Sequence, residues 1–188
     1  MTIPRPPRIA TALAVAAALT ATAVAPAGAA NTVSQTINAG TRSASLADLS
    51  LAAVNYSHSA QTSAGTMALT ADDSSGTGFG WNVTVQSSAF AYSGTNGGTA
   101  IPAANFSITS AGTAASTAGQ AVNVVGGPNP PATGSTGTLD AVRKTIAAGP
   151  GFGQGTYTQN LGVSLAIPAQ ARVGTYTGTM TVTISAGP

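Results

Sequence analysis

Side chains that could perform acid–base or nucleophilic chemistry are few in this 188-residue chain. It has four aspartates, no cysteine and one histidine, His58, in a polar stretch typical of an exposed loop. A serine hydrolase presents its nucleophile on a strained turn, and no Gly-x-Ser-x-Gly elbow occurs. A glycosidase needs two carboxylates that flank a cleft, whereas Asp48 and Asp140 stand alone in the sequence. The chain is therefore predicted not to be an enzyme.

Two carboxylates are adjacent only at Asp72 and Asp73, which precede Ser74-Ser75-Gly76. Oxygen ligands gathered in a turn suit calcium. The alternative is that both aspartates cap the turn through side-chain to backbone hydrogen bonds. We favour the cap, because the spaced carboxylates of an EF-hand loop are missing. Zinc is excluded by the lack of cysteine and the single histidine, and no cofactor is predicted.

The single tryptophan, Trp81, begins a run in which apolar residues alternate with polar ones. Val83 and Val85 share its face, and this period of two is typical of a half-buried strand. A buried indole removes about 200 Å² from water and stabilises a small domain by a few kcal/mol. The pattern therefore favours a core role for Trp81 over direct contact with a ligand.

The elements that would position these residues are strands. Tyr176–Ile184 alternates perfectly and predicts one long strand with an apolar face and a threonine face. Leu161–Ile167 alternates in the same way and ends at Pro168, which cannot donate to a sheet ladder. The short connection, residues 168–174, predicts that these two strands form a hairpin.

Further short strands are predicted along the chain. They are Thr32–Ile37, Ser45–Tyr56 with a break near Asp48, Thr66–Thr70, Asn105–Ser110 and a strand marked by Val122 and Val124. Leu139–Ala148 has helical spacing of its apolar residues, but its β-branched residues favour a strand. Strands separated by turn-rich loops, without alternating helices, predict one all-β domain, an antiparallel β-sandwich or a barrel-like fold.

The N-terminal segment has the features of a secretory signal peptide. Arg5 and Arg8 precede an apolar stretch over residues 9–25, and Ala27-Gly28-Ala29 supplies the small residues of a cleavage site. We predict a signal peptide over residues 1–29 and a domain over residues 30–188. No later segment is long and apolar enough for a transmembrane anchor.

Removal of the signal peptide would leave a domain with no net charge. The chain has six basic and four acidic residues, and two of the basic ones lie before residue 30. Four basic residues then balance four aspartates, and no basic stripe remains. This argues against nucleic-acid binding, which depends on clustered Lys and Arg.

Several blocks of the sequence resemble WxL-domain surface proteins of bacteria. Asp72–Gly76, Gly80–Val85 and Phe90 are similar to the first signature block of that family, and Ile101–Phe106 is similar to the next strand. Residues 155–188 resemble its C-terminal block, so the resemblance spans Asn31 to Pro188. This is the WxL-like variant of the pattern.

The resemblance departs from the strict motif in two places. Val83 stands where the first Trp-x-Leu motif has leucine, and Val182-Thr183-Ile184 stands where the second motif would lie, without its tryptophan. If these motifs contact a ligand, the candidate binding residues are Trp81, Val83, Val182 and Ile184.

The resemblance implies a secreted, non-enzymatic protein of the cell surface. Its expected partners are peptidoglycan, bound non-covalently, or other cell-surface proteins. One alternative is a self-assembling matrix or coat subunit, because neutral, threonine-rich edge strands can pair between copies. Another is a carbohydrate-binding module that stacks sugars on Tyr56, Tyr92 and Tyr157.

Overall fold

The computed structural model describes residues 32–188, so the predicted signal peptide over residues 1–29 lies outside the described residues. The chain divides into two units, Met1–Thr36 and Ile37–Pro188. Residues 32–36, the described part of the first unit, have no regular secondary structure, and every described strand belongs to the second. Between residues 32 and 188, no helix has the length and hydropathy needed to cross a membrane.

The second unit consists of strands joined by loops and a single 3₁₀ turn at Ala103–Asn105. The strands are β1 (Arg42–Leu46), β2 (Gln61–Asp73), β3 (Trp81–Ser87), β4 (Ala91–Ser93), β5 (Phe106–Ala111), β6 (Ala115–Gly119), β7 (Gly137–Thr138), β8 (Arg143–Ala148), β9 (Gly155–Ile167), β10 (Thr175–Thr177) and β11 (Met180–Ala186). The larger sheet has the order β1-β2-β9-β5-β7, and β6 also pairs with β9. The smaller sheets are β11-β3-β8 and β10-β4. Every pairing is antiparallel, and the predicted all-β fold is confirmed as a sandwich without a closed barrel.

The two longest strands, β2 and β9, set the length of the domain. They pair without interruption from Gln61 opposite Ile167 to Asp73 opposite Gly155. Their inward residues meet those of β3 and β8, so one apolar core fills the space between the larger and the three-stranded sheet. The fully buried core side chains include Leu69, Trp81, Val83, Val85, Ile108, Leu139, Ile146, Tyr157, Leu161 and Val163.

The predicted hairpin between β9 and the last strand is wrong. Both edges of β9 are already paired, one with β2 and the other with β5 and β6, so no edge is left for the next strand. The chain crosses instead to the smaller sheet, where Val182 pairs with Val85 and Ile184 with Val83. The predicted long strand is also divided, into β10 and β11, at Gly178, which packs against the ring of Phe90. Its alternation of half-buried apolar residues with exposed threonines is as predicted.

Two of the N-terminal strand predictions need correction. Residues 32–37 alternate like a strand but make no strand pairing with described residues, and their side chains are exposed. In the predicted strand Ser45–Tyr56, only Ser45 and Leu46 are in a strand, β1, and residues 47–57 are irregular. A strand requires hydrogen-bonded pairing with a neighbouring strand, and neither residues 32–37 nor residues 47–56 have such a neighbour among the described residues.

The middle of the chain gives two further outcomes. No strand forms at Val122 and Val124, because Asn123 Oδ1 instead accepts hydrogen bonds from the amides of Val125 and Gly126 and closes a turn. The strand in this region is β6, seven residues earlier. The preference for a strand in Leu139–Ala148 is confirmed by β8, in which Thr145 forms a bulge between the Val83 and Thr84 pairings.

Candidate functional site

Trp81 joins the two sheets at one end of the sandwich. Its side chain is fully buried, and its Nε1 donates a hydrogen bond of 2.7 Å to the carbonyl of Gly153. The indole lies against Tyr157 on the opposite sheet, with ring centroids 6.0 Å apart. The Tyr157 hydroxyl in turn donates to the carbonyl of Gln120 at 2.7 Å. One aromatic pair therefore anchors two loops, residues 149–154 and 120–129.

Gly153→Ala is expected to destabilise the domain by about 2 kcal/mol or more, because overpacking and backbone strain act together here. Gly153 has a φ of 76°, and an added Cβ would overlap Ala148 and lie 2.7 Å from Trp81 Nε1. Gly151 is a matched control, since its φ is 80° but its Cβ would meet nothing within 4 Å. Urea denaturation of both variants measures the difference, and equal losses of stability would show that the indole contact is unimportant.

Asp72 and Asp73 end β2 and point to opposite faces of the sheet. Asp72 accepts hydrogen bonds of 2.7 Å from the hydroxyls of Ser74 and Thr156. Asp73 is buried, lies 3.1 Å from Arg42 Nε, and accepts from the amide and hydroxyl of Ser75. Within residues 32–188 no three acidic, histidine or cysteine side chains are grouped to hold a metal ion. The two carboxylates therefore have turn-capping and ion-pair partners.

The buried Tyr157 phenol is also affected by this carboxylate. Burial, and to a smaller extent the negative charge of Asp73, raise the pKa of Tyr157 above its ordinary value of 10.0. The phenol is therefore neutral at physiological pH and remains a hydrogen-bond donor to the Gln120 carbonyl.

Three exposed apolar side chains lie on the loops beside Trp81, and we call this surface the loop end. They are Phe79, 67% exposed, and Val124 and Val125, each 95% exposed. Backbone hydrogen bonds of 2.8 Å join their loops to the loop that contains Gly153, from Gly151 to Gly78 and from Gly149 to Gly126. The ring of Phe152 packs on Gly126, where any Cβ would overlap it.

The loop that bears Val124 and Val125 is held by its own side chains. Asn129 Nδ2 donates to the carbonyls of Asn123 (2.9 Å) and Val124 (3.1 Å), and the Asn129 backbone exchanges two hydrogen bonds of 2.9 Å with Ala147 of β8. The two valines are thus fixed outward on a short, braced turn. Exposed apolar residues presented in this way are typical of a binding surface.

A large cleft lies at the opposite end of the long strands, where β2 begins and β9 ends. Its volume is about 980 Å³. One wall is the irregular segment of residues 47–57, which we call the strap, and the other is formed by β10 and the start of β11. Residues on its floor include Met67, Phe90, Ile101, Phe106 and Leu165.

The comparisons with known proteins give one finding. The family model described as a surface cell wall-binding WxL domain matches residues 29–188. The chain belongs to the WxL family. No curated protein and no solved structure matches it.

The WxL motif positions lie side by side on the inner face of the three-stranded sheet. Trp81 and Val83 are fully buried, and Val182 and Ile184 of β11 are half-buried beside them. Val83 pairs directly with Ile184. In this WxL domain the four candidate binding residues are therefore brought together, but as one strip of the core, and Trp81 and Val83 present no surface to a ligand.

The remaining candidates of the sequence are dispersed. His58 is exposed and packs edge-on against Tyr56 of the strap, with ring centroids 5.3 Å apart. Tyr92 pairs with Tyr176 in the β10-β4 sheet, whereas Tyr157 is in the core. The three tyrosines proposed for sugar stacking do not form one platform. The sequence pattern also missed the loop end, because its apolar residues are set among glycines without a regular period.

Proposed function

We propose that this WxL domain is exported and attaches non-covalently to the bacterial cell wall through its loop end. The observation that carries the proposal is the match to the cell wall-binding family over residues 29–188. The loop end is the surface that we propose contacts the wall. The buried Trp81 and Tyr157 hold its loops in place, and these loops present Phe79, Val124 and Val125 to the solvent. The motif tryptophan would then act on binding indirectly, by positioning these loops.

The loop end has no charged side chain, so it suits the uncharged groups of a polymer. After residue 29 the chain has four basic and four acidic residues, none of them among residues 74–80 or 120–129. The peptidoglycan strand presents apolar faces of sugar rings and many hydroxyl and amide groups, which match exposed apolar side chains and backbone polar groups. Binding of this kind is expected to depend little on salt, because few charges are screened.

The proposal is binding without catalysis. Asp72 and Asp73 are each occupied by structural partners, and Asp48 and Asp140 are exposed residues on separate loops. His58 contacts an aromatic ring rather than a carboxylate or a serine nucleophile. The proposed location is the outer surface of the cell, reached by export with the signal peptide over residues 1–29.

The test is retention of the purified chain, residues 30–188, on bacterial cell walls stripped of protein. The triple variant Phe79→Ser, Val124→Ser, Val125→Ser is expected to bind about ten-fold more weakly or worse, as when the apolar anchors of an interface are truncated. Its control is Val142→Ser, a 59% exposed valine before β8 and at the far end of that strand from Ala148.

The outcomes separate the two parts of the proposal. Saturable, largely salt-independent retention of the unchanged chain, lost in the triple variant alone, supports both wall attachment and the loop end. Normal retention of the triple variant would move the wall site elsewhere on the domain. If the folded, unchanged chain is not retained, direct wall attachment is wrong.

A further inference from the structure

The backbone on both sides of the cleft has N–H and C=O groups that are not paired with the backbone of described residues. β11 is an edge strand that hydrogen-bonds only with β3 in the part of the chain that the structure describes. β1 lies beside part of β11, and the unpaired stretch that faces the cleft is the start of β11, at Met180 and Val182. The strap makes no backbone-to-backbone hydrogen bond with described residues between positions 48 and 56. Its one hydrogen bond there is from the Ser63 hydroxyl to the Ala52 carbonyl, at 2.9 Å.

The strap nevertheless packs against the sheet below it. The side chains of Leu49 and Leu51 point down onto β2 at Gly65, where an added Cβ would lie 3.0 Å and 3.1 Å from their methyl groups. The intervening and following residues, up to Tyr56, are exposed. One wall, at the start of β11, is therefore a strand edge, the other is irregular backbone, and the space between them is apolar at its floor. This is the geometry of a sheet that can accept one more strand.

The chain itself contains a segment suited to this space. Thr32–Ile37 alternates like a strand, with Val33, Gln35 and Ile37 on one side, and it has no charged residue. Val33 is 100% exposed and Ile37 is 91% exposed, so neither apolar side chain is buried against the described residues 32–188. Six extended residues span about 20 Å. The predicted cleavage after Ala29 would leave only Ala30 and Asn31 in front of it.

We propose that Thr32–Ile37 of one copy of this chain inserts into the cleft of a second copy as an added strand. Its backbone would bond to the unpaired start of β11 or to the strap, and Val33 and Ile37 would cover the apolar floor. The uncharged segment matches a cleft with little charge, because Asp48 and Arg172 are the only charged residues among residues 32–188 that line it. A neutral apolar strand is therefore preferred there over an acidic polymer.

This contact joins two different surfaces, so it is a head-to-tail contact. Each copy would offer one donor segment and one acceptor cleft, and repetition leads to a filament or a closed ring. The cleft and the loop end lie at opposite ends of β2 and β9, as the register of those strands requires. A copy attached to the wall by its loop end would thus keep its cleft open to the next copy. The assembly does not depend on the wall attachment proposed above.

The experiment is sedimentation velocity of residues 30–188 over roughly a thousand-fold range of concentration, a range that spans weak and moderate association. The unchanged chain is expected to form oligomers as concentration rises. The variant Val33→Asp, Ile37→Asp is expected to remain a monomer, and its fold should be unaffected because both side chains are exposed. The control Val124→Ser, Val125→Ser changes two equally exposed valines at the loop end and is expected to assemble normally.

A peptide covering residues 30–39 then locates the acceptor. It is expected to bind the monomeric Val33→Asp, Ile37→Asp variant, and to bind about ten-fold more weakly when Val54→Asp is added to the strap. Val54 is partly exposed, so this variant should fold. Equal peptide affinity with and without Val54→Asp would remove the cleft as the acceptor.

Three results would overturn the proposal. The first is that the unchanged chain stays monomeric at every concentration. This includes the case in which Thr32–Ile37 of each copy binds in the cleft of that same copy. The second is assembly that persists in the Val33→Asp, Ile37→Asp variant. The third is that soluble peptidoglycan fragments displace the peptide from the monomeric Val33→Asp, Ile37→Asp variant. That result would assign the cleft to the wall polymer.

Discussion

Trp81→Ala is expected to lower the free energy of unfolding by about 3–5 kcal/mol, the usual cost of truncating a large buried aromatic side chain. The substitution empties the space between the sheets beside Tyr157 and removes the hydrogen bond to the Gly153 carbonyl. A loss of that size is a large part of the stability of a single domain. Urea denaturation, followed by far-UV circular dichroism so that the missing indole does not affect the signal, measures it directly.

Trp81→Phe is the control that separates the two contributions of the indole. Phenylalanine keeps much of the apolar contact with Tyr157 but has no N–H for Gly153, so the loss should be smaller and include about 1 kcal/mol for the hydrogen bond. If Trp81 acts on wall attachment by holding the loops, the folded Phe variant should bind slightly more weakly. A Trp81→Ala domain that melts normally yet no longer binds walls would instead make the indole a ligand contact, which its complete burial argues against.

The core role predicted for Trp81 from its alternation shows where sequence patterns are informative. β3 has large apolar residues at Trp81, Val83 and Val85, and each is buried in the structure. β2 shows the opposite case, because only Thr66–Thr70 was predicted of its 13 residues. Its remaining inward positions are small or polar, at Ser63, Ala71 and Asp73, so the period of two is hidden from any measure of hydrophobicity.

Strand neighbours were harder to predict than strands. A short connection favours a hairpin only when the first strand still has a free edge, and that depends on segments far away in sequence. β9 receives β2 on one side and β5 with β6 on the other, and the paired residues of these partners lie 36 or more residues earlier in the chain. The two ends of the sandwich were missed for a related reason, since the cleft and the loop end are built from irregular segments brought together by those long-range pairings.

Asp73→Ala is expected to cost about 3 kcal/mol of stability, because it removes one partner of a largely buried ion pair. The Asp73 side chain is 0% exposed and that of Arg42 is 16% exposed. Without the carboxylate, Arg42 keeps its hydrogen bond of 2.7 Å to the Thr77 hydroxyl but loses its counter-charge, and the buried Ser75 amide loses its acceptor. Equilibrium unfolding in urea measures the cost.

The neighbouring carboxylate supplies the matched control. Asp72→Ala removes the same chemical group one residue earlier, from a position that is only partly buried and whose partners are the hydroxyls of Ser74 and Thr156. Its expected cost is about 1 kcal/mol, the value of ordinary hydrogen bonds without a desolvated charge. Equal costs at the two positions would contradict the assignment of Asp73 as the ion-pair partner.

The double variant Arg42→Ala, Asp73→Ala distinguishes the ion pair from the turn that Asp73 also caps. If the loss at Asp73 comes mainly from an uncompensated Arg42, removing both charges should be less damaging than the sum of the single variants, by about 1–3 kcal/mol. If it comes mainly from the Ser75 turn, the two losses should add. The Ser75 turn precedes Phe79 and Trp81 in the chain, so additive losses would link Asp73 to the shape of the loop end. Non-additive losses would confine the effect of Asp73 to the edge where β1 pairs with β2.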